Sequence, residues 1–333
     1  MAELPAPDPL ATSGSRNSEA SGYAILQRGQ NTDATWVCVK YGPHGGGHGH
    51  PDKNSFVLYA HGKILATDAG THAYGSSLHR DWDKTTLAHN TLIVDEASQS
   101  SATGKCLAFG SEQGVDYAIT DAGPIYKGVQ FTRTVAMLTP QMVLFVDQVE
   151  ADAPHTLDLA YHQIGEWDPK VKVPVGDSDG SSWTAPAAPG YTHVTQATTR
   201  KMGSEGLVLN TKAGDEWRPS ITLAGNEPTE IITGYGLLKN TEDRAPILLQ
   251  RRHAQRAAFV WAISLDGTPL TLRVSEVKDA TGKVLPQAEA ALVQAGAGKQ
   301  RWTLVVNPKR ISVAAAMPDG VIWRTEAPLS IHQ

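Results

Sequence analysis

Residues 129–149, VQFTRTVAMLTPQMVLFVDQV, read as two β-strands in succession, 129–138 and 142–149, with Pro140 between them. Phe131, Arg133 and Val135 alternate with Thr132, Thr134 and Ala136, the period-two pattern of a strand whose faces meet different surroundings. The same grammar extends in both directions. GYAILQRG (22–29), TWVCVKYG (35–42), SFVLYA (55–60), KILATDA (63–69) and NTLIVD (90–95) precede it; HTLDLAYH (155–162), AAFVWAISL (257–265) and RWTLVVN (301–307) follow. These runs are rich in β-branched and aromatic residues and are bounded by Gly, Pro, Asp and Asn. No stretch carries a helical period of useful length, and no solenoid repeat is present. The expected fold is all-β, with antiparallel sheets stacked as a large sandwich.

The bulk properties narrow the function classes. The chain has 333 residues, 41% hydrophobic and 19% charged, a globular composition with enough length for a substantial core. The formal charge of −5 and the absence of a Lys/Arg block speak against nucleic acid as a partner. No apolar run approaches the roughly 18 residues of a membrane-spanning helix. The Pro/Ala/Ser-rich residues 1–20 read as a tail or linker without signal-peptide character. Residues 21–240 are expected to form the main sandwich, and 241–333 a C-terminal β-sheet region of the same or a second domain, with KNTEDRAP (239–246) as the candidate boundary. Two cysteines, Cys38 and Cys106, imply no disulfide framework and are read as small buried residues.

Seven of the twelve histidines fall between residues 44 and 89: His44, His48, His50, His61, His72, His79 and His89. His61 precedes Gly62 between two strands and reads as a hairpin-turn residue. His44 has no assigned role. His48 and His50 are two residues apart, so extended backbone would turn both rings to one side. A hairpin turning at 61–62 would carry Asp68 back toward His50, and His89 lies just before a strand of the same region. Two imidazoles and a carboxylate are an accepted zinc set; polar residues lining a cleft are the alternative from spacing alone. His162 and Arg133, within strands, are expected to make core hydrogen bonds. GDSDGSS (176–182) lacks the closing Glu of a calcium loop and reads as a turn. There is no P-loop, no GxGxxG after a strand and no GxSxG elbow.

GPHGGGHGHPDKNSFVLY (42–59), ILATDAGTHAYG (64–75) and TTLAHNTLIVD (85–95), in that order, closely resemble the heparinase II/III-like polysaccharide lyases, and the first form is most similar to the oligoalginate-lyase branch. The resemblance is densest over 22–100 and has echoes in GVQFTRTVAML and LDLAYHQIGEW. It implies one structural zinc per chain, bound by His50, Asp68 and His89, and a cleft position for His48. Tyr74 is the counterpart, by position, of a tyrosine near the reaction centre. Arg80 is a candidate for a substrate carboxylate and Trp82 for a sugar-stacking surface. The implied substrate is an acidic polysaccharide or oligosaccharide, alginate first.

The implied reaction removes the proton α to a uronate carboxylate and expels the 4-linked sugar. It needs stabilisation of the developing enediolate, a base and an acid. In the family an α/α toroid precedes the sandwich and supplies an Asn or His and a Tyr; this sequence reaches sandwich strands almost at once and carries no toroid. The chain is therefore expected to be a fragment, a subunit needing a helical partner, or a degenerate domain, and a poor lyase by itself. A non-catalytic, zinc-containing carbohydrate-binding or structural sandwich is the competing expectation. The compartment stays open between bacterial periplasm and cytoplasm.

Overall fold

The computed structural model describes residues 14–68, 72–168, 180–214, 217–238 and 242–333. Most of the 1–20 tail, the first part of the 176–182 turn and residues 239–241 of the candidate boundary lie outside them.

Five antiparallel strands form a first sheet in simple meander order: β1 (Arg16–Ser18), β2 (Tyr23–Arg28), β3 (Thr35–Lys40), β4 (Ser55–Ala60) and β5 (Lys63–Ala66). His61 takes a left-handed φ of 50° at the β4–β5 turn, next to Gly62 at 77°, as the sequence reading required.

A twelve-stranded sheet forms the centre of the molecule. It comprises β6 (Leu92–Val94), β7 (Lys105–Glu112), β8 (Val115–Asp121), β9 (Val129–Thr139), β10 (Met142–His162), β11 (Glu166–Trp167), β12 (Ser181–Ser182), β13 (Thr195–Met202), β14 (Leu207–Lys212), β15 (Ser220–Leu223), β16 (Thr229–Leu237) and β17 (Arg244–Ser264). Its main path runs β11-β14-β15-β17-β10-β9-β8-β7. β16 joins the other half of β17, and β6 joins β10. Two four-stranded sheets from residues 271–332 complete the fold.

The segments 142–149 and 155–162, expected as separate strands, are one 21-residue strand, β10. Its register with β17 passes from Glu150↔Arg256 to His155↔Ala254, so Ala151–Pro154 bulge out opposite Gln255. The bulge absorbs Pro154, which has no N–H to give to a ladder.

The alternation in 129–149 becomes two cores on the two faces of the central sheet. Phe131, Val135, Phe145 and Trp261 point toward the meander and pack with Leu26, Val37, Phe56 and Leu58. Ala136, Leu138, Leu144 and Val260 point the other way, onto Val293, Trp302, Leu304 and Ile331 of the C-terminal sheets. Arg133 shares the face of Phe131 and Val135 and is fully buried. Its guanidinium forks onto Asp147 (Nε–Oδ1 2.6 Å, Nη2–Oδ2 3.2 Å) and lies over the rings of Phe56, Phe131 and Phe145. Trp261 Nε1–H donates to the same carboxylate at 2.8 Å. A buried ion pair of this kind holds only with bidentate geometry and its remaining donors used. Nη1 uses them on the carbonyls of Asn54 and Asn90, both at 2.6 Å. The core of the sandwich thereby grips the backbone of two loops that carry the histidines.

Candidate active site and metal centre

The histidine-rich stretch enters the fold through a backbone crossing. A Cβ on Gly22 would come within 1.9 Å of Gly42 Cα, so two chain segments touch where only glycines fit. Further on, a Cβ on Gly49 would meet the His44 carbonyl oxygen at 1.7 Å, which closes 44–49 into a tight loop. Lys84 clamps that loop from outside, donating to the carbonyls of Gly47 (3.1 Å) and Gly49 (2.6 Å). After Pro51 the chain turns inward. Lys53 is buried against Asp52, and its N–H donates to Gln99 Oε1 at 2.7 Å. Burial lowers the Lys53 ammonium's pKa, against the opposing pull of Asp52.

This folding gathers His50, Asp68 and His89. One donor atom from each lies within 4.8 Å of the other two. His89 is fully buried; its Nδ1 is 2.9 Å from Asp68 Oδ2, and its Nε2 is 3.1 Å from the Asp83 carbonyl oxygen. A carbonyl and a carboxylate can only accept, so both ring nitrogens donate, and a metal ion would replace the Nδ1 proton while Nε2–H stays on the Asp83 carbonyl. That is the tautomer arrangement of a metal-ligating histidine oriented by a backbone carbonyl. Tetrahedral zinc ligands stand about 3.3 Å apart at bond lengths of about 2.0–2.1 Å, so the trio fits one ion with small adjustments. His50 is held down to about pKa 4 by burial and by the neighbouring His89, which keeps its ring neutral as a ligand must be. Burial also opposes charge on His89, but the Asp68 carboxylate outweighs it and raises that pKa.

Asn90, next in the chain, stitches three strands. Its amide donates to the carbonyls of Phe56 and Thr67, both at 2.9 Å, and its Oδ1 accepts the His162 N–H at 2.6 Å. The Arg133 contact to its carbonyl fixes the residue from the core side. Arg133 and His162 are thus the buried hydrogen-bonding residues their strand positions imply.

A second cluster was not anticipated from the sequence. The fully buried Asp83 carboxylate accepts the His72 N–H at 2.6 Å, and it contacts His72 Nδ1 at 2.8 Å and His79 Nδ1 at 3.3 Å. Its carbonyl is the one that holds His89. His79–Asp83 forms a five-residue π-helical turn, which brings its first and last side chains to one side. The i,i+4 His–Asp spacing in HRDWD was the available signal.

His79 presents its ring edge-on to Tyr74, with centroids 4.7 Å apart. The Tyr74 hydroxyl lies 2.7 Å from His48 Nδ1. Both residues of this pair are solvent-exposed, Tyr74 at 65%. The two residues expected at the cleft are therefore in direct contact, beside the His50/Asp68/His89 group: the His50 ring is 6.3 Å from that of His79.

Trp82 requires a correction. Its side chain is fully buried in a core with Leu87, Ile93, Tyr191 and Ile247, against Gly236. An indole with no exposed face cannot stack on a sugar, so its role is packing. The turn at 79–83 directs residue 82 inward while Arg80 points out. Arg80 remains exposed, its Nε donating to the adjacent Asp81 at 2.9 Å.

The heparinase II/III-like C-terminal family model matches residues 11–301. A heparin-sulfate lyase of Bacteroides stercoris is 27% identical over 145 residues, covering 42% of this chain and 22% of that protein. An alginate lyase of Stenotrophomonas maltophilia is 32% identical over 170 residues, covering 44% of this chain and 23% of that protein. Among solved structures, a heparinase III, the BT4657 gene product, superimposes with a TM-score of 0.67 at 17% identity, over 89% of this chain and 42% of that one. The heparan sulfate lyase HepC of Pedobacter heparinus gives 0.66 at 16%, over 89% and 43%. The matched region spans about a quarter of the length of these curated relatives, and the structural likeness establishes the fold. With its supersandwich of antiparallel sheets and a match running through most of its length, this chain belongs to the heparinase II/III-like C-terminal domain family.

Proposed function

We propose that this chain forms the β-sandwich half of the active site of a polysaccharide lyase. The lyase acts by β-elimination on a uronate-containing polysaccharide or oligosaccharide, alginate first, with a structural zinc on His50, Asp68 and His89. The observation that carries the reading is the His48–Tyr74 contact of 2.7 Å beside the three-donor group. With Nδ1 of His48 unprotonated, the tyrosine hydroxyl donates to it. The phenol proton can then pass to the imidazole, leaving a phenolate as base for the proton α to the carboxylate. The tyrosine hydroxyl so formed gives that proton to the leaving sugar oxygen, and the phenolate left behind recovers its own proton from the imidazolium. His48 is also placed to offset charge on the enediolate. The metal, when bound, ties the loops of residues 50, 68 and 89 together and so fixes the platform from which His48 projects.

The test combines cleavage and metal content. Alginate and heparan oligosaccharides are incubated with the chain alone and with a supplied helical toroid domain from a relative, and the unsaturated product is followed by ultraviolet absorbance. The expected result is weak cleavage alone, strong cleavage with the toroid, and at least a hundredfold loss in H48A and Y74F. Binding without cleavage under both conditions favours the alternative, a non-catalytic carbohydrate-binding sandwich. Stoichiometric zinc retained in each of H50A, D68A and H89A would refute the metal assignment.

A further inference from the structure

We infer that the C-terminal sheet of strands Thr271–Ser275, Ala291–Ala297, Gln300–Val306 and Leu329–His332 carries a second, non-catalytic binding site for an acidic oligosaccharide. The inference rests on the reading that this protein handles acidic polysaccharide, and it concerns a site distinct from the His48–Tyr74 cleft.

One face of this sheet packs on the central sheet through Val293, Trp302, Leu304 and Ile331. The opposite face is covered at one end only, where Leu292 and Val305 meet the last small sheet. Its other end lies open and forms a cavity of about 520 Å³, walled on one side by Met317–Asp319. That volume is within the roughly 300–1,000 Å³ of ligand sites.

The register arranges polar groups across this opening in rows. Arg273, Gln294, Thr303 and His332 stand directly opposite one another on successive strands, and Gly296 pairs with Arg301 one step away. Gly296 leaves room for the Arg301 side chain, which lies 3.1 Å from where a Cβ would be. Arg301 spends Nη1 on the carbonyls of Gly298 and Gln300, both at 2.7 Å. Neither guanidinium pairs with a carboxylate among the described residues, and Arg273 makes no hydrogen bond among them. Two unpaired cations thus line one cavity, whose wall also carries the Asp319 carboxylate accepting the Val321 N–H, in a chain whose formal charge is −5.

Strand geometry puts the two arginine Cα atoms about 12 Å apart, two strands across and two residues along. A single carboxylate cannot engage both; an oligosaccharide with several carboxylates can. The amide of Gln294 and the hydroxyl of Thr303 between them offer donors and acceptors to sugar hydroxyls. The indole of Trp302 is turned into the core, so it offers no stacking face to a nucleobase. No helix N-terminus supplies the N–H cradle that phosphate favours.

The test is calorimetric titration of alginate and heparan hexasaccharides, with a neutral glucan hexasaccharide as control, into the whole chain and three variants. The variants are the cleft variant H48A/Y74F and that variant carrying in addition either R273A/R301A or R273Q/R301Q, so that the arginine pairs are compared with the cleft already altered. Circular dichroism confirms that each folds. The expected result is binding of the acidic hexasaccharide to H48A/Y74F, weakened about 10–100-fold in both arginine variants and lowered by salt. Arginine variants that bind as tightly as H48A/Y74F would overturn the site while leaving the lyase reading intact. Equal binding of the neutral glucan would overturn recognition by charge. A wild-type chain that binds no acidic hexasaccharide would sink both readings. A groove filled instead by a second copy would show as self-association abolished by the arginine variants, and that too would refute the proposal.

Discussion

Replacing Arg133 by Met removes one partner of a fully buried ion pair and leaves the Asp147 carboxylate alone in the core. A charge left unpaired in such a place costs about 3–5 kcal/mol. R133M also takes the donor from the carbonyls of Asn54 and Asn90, at about 1–3 kcal/mol for a buried acceptor left unmade. D147L should cost a similar 3–5 kcal/mol through the opposite stranded charge, with the loop carbonyls still held. In R133M/D147L the stranded-charge penalty disappears. Only the two carbonyl contacts and the Trp261 hydrogen bond are missing, so the double variant should be more stable than R133M, and below wild type by about 1–3 kcal/mol for each of these three groups left unmade. Urea unfolding followed by tryptophan fluorescence measures all three. Zinc affinity should sort differently, falling roughly 10–100-fold in both variants that lack Arg133, because the Asn90 backbone beside His89 loses its anchor in each. A double variant whose destabilisation equals the sum of the singles would refute the coupling. Unchanged zinc affinity in R133M would refute the anchoring role.

Three shorter predictions follow from burial. W82A should lose about 3–5 kcal/mol in urea unfolding, and W82F less, with oligosaccharide binding by W82F unchanged in calorimetry, since the indole faces the core. His162 is buried with Nε2 unpartnered, and burial holds it at about pKa 3 against about 6.5 unfolded. The unfolded chain therefore binds the proton first. This contribution to stability is intact above pH 6.5 and is lost as pH falls toward 3, at roughly 1.4 kcal/mol per unit; H162Q should flatten that part of a stability–pH curve. Burial pushes the thiols of Cys38 and Cys106 up to about 11, so alkylation by iodoacetamide at pH 8 should run roughly 100-fold slower in the folded chain than in urea.

The strands were legible where one face is apolar throughout. Residues 129–138 alternate cleanly because both faces of the central sheet are covered by different cores. The hairpin at 105–121 went unread, since β7 is half-exposed along most of its length and shows little contrast between faces. Its turn at Gln113-Gly114, both with positive φ, was the clearest mark it left. In the site, His50, Asp68 and His89 were singled out through motif order, while spacing alone left them open; the structure brings their donor atoms together. Trp82 was misplaced because a five-residue turn, which no periodicity announces, decides which of Arg80 and Trp82 faces out. Asp83 was missed for the same reason: its partners His72 and His79 converge only once that turn is formed.

The two 21-residue strands β10 and β17 bear on how the chain folds. Their ladder joins Met142 to Ser264 and His162 to Ile247, partners separated by about 85–120 positions in the sequence. Both cores of the central sheet need this ladder, so neither can form until a loop of that length has closed. Non-local pairing of this kind makes folding slow and leaves the β10 edge open meanwhile. A polypeptide interrupted before Arg244 would keep that edge permanently, as an unsatisfied row of N–H and C=O groups ready to pair with another molecule. Recombinant versions cut between the two strands should therefore accumulate as aggregates, however complete their histidine loops.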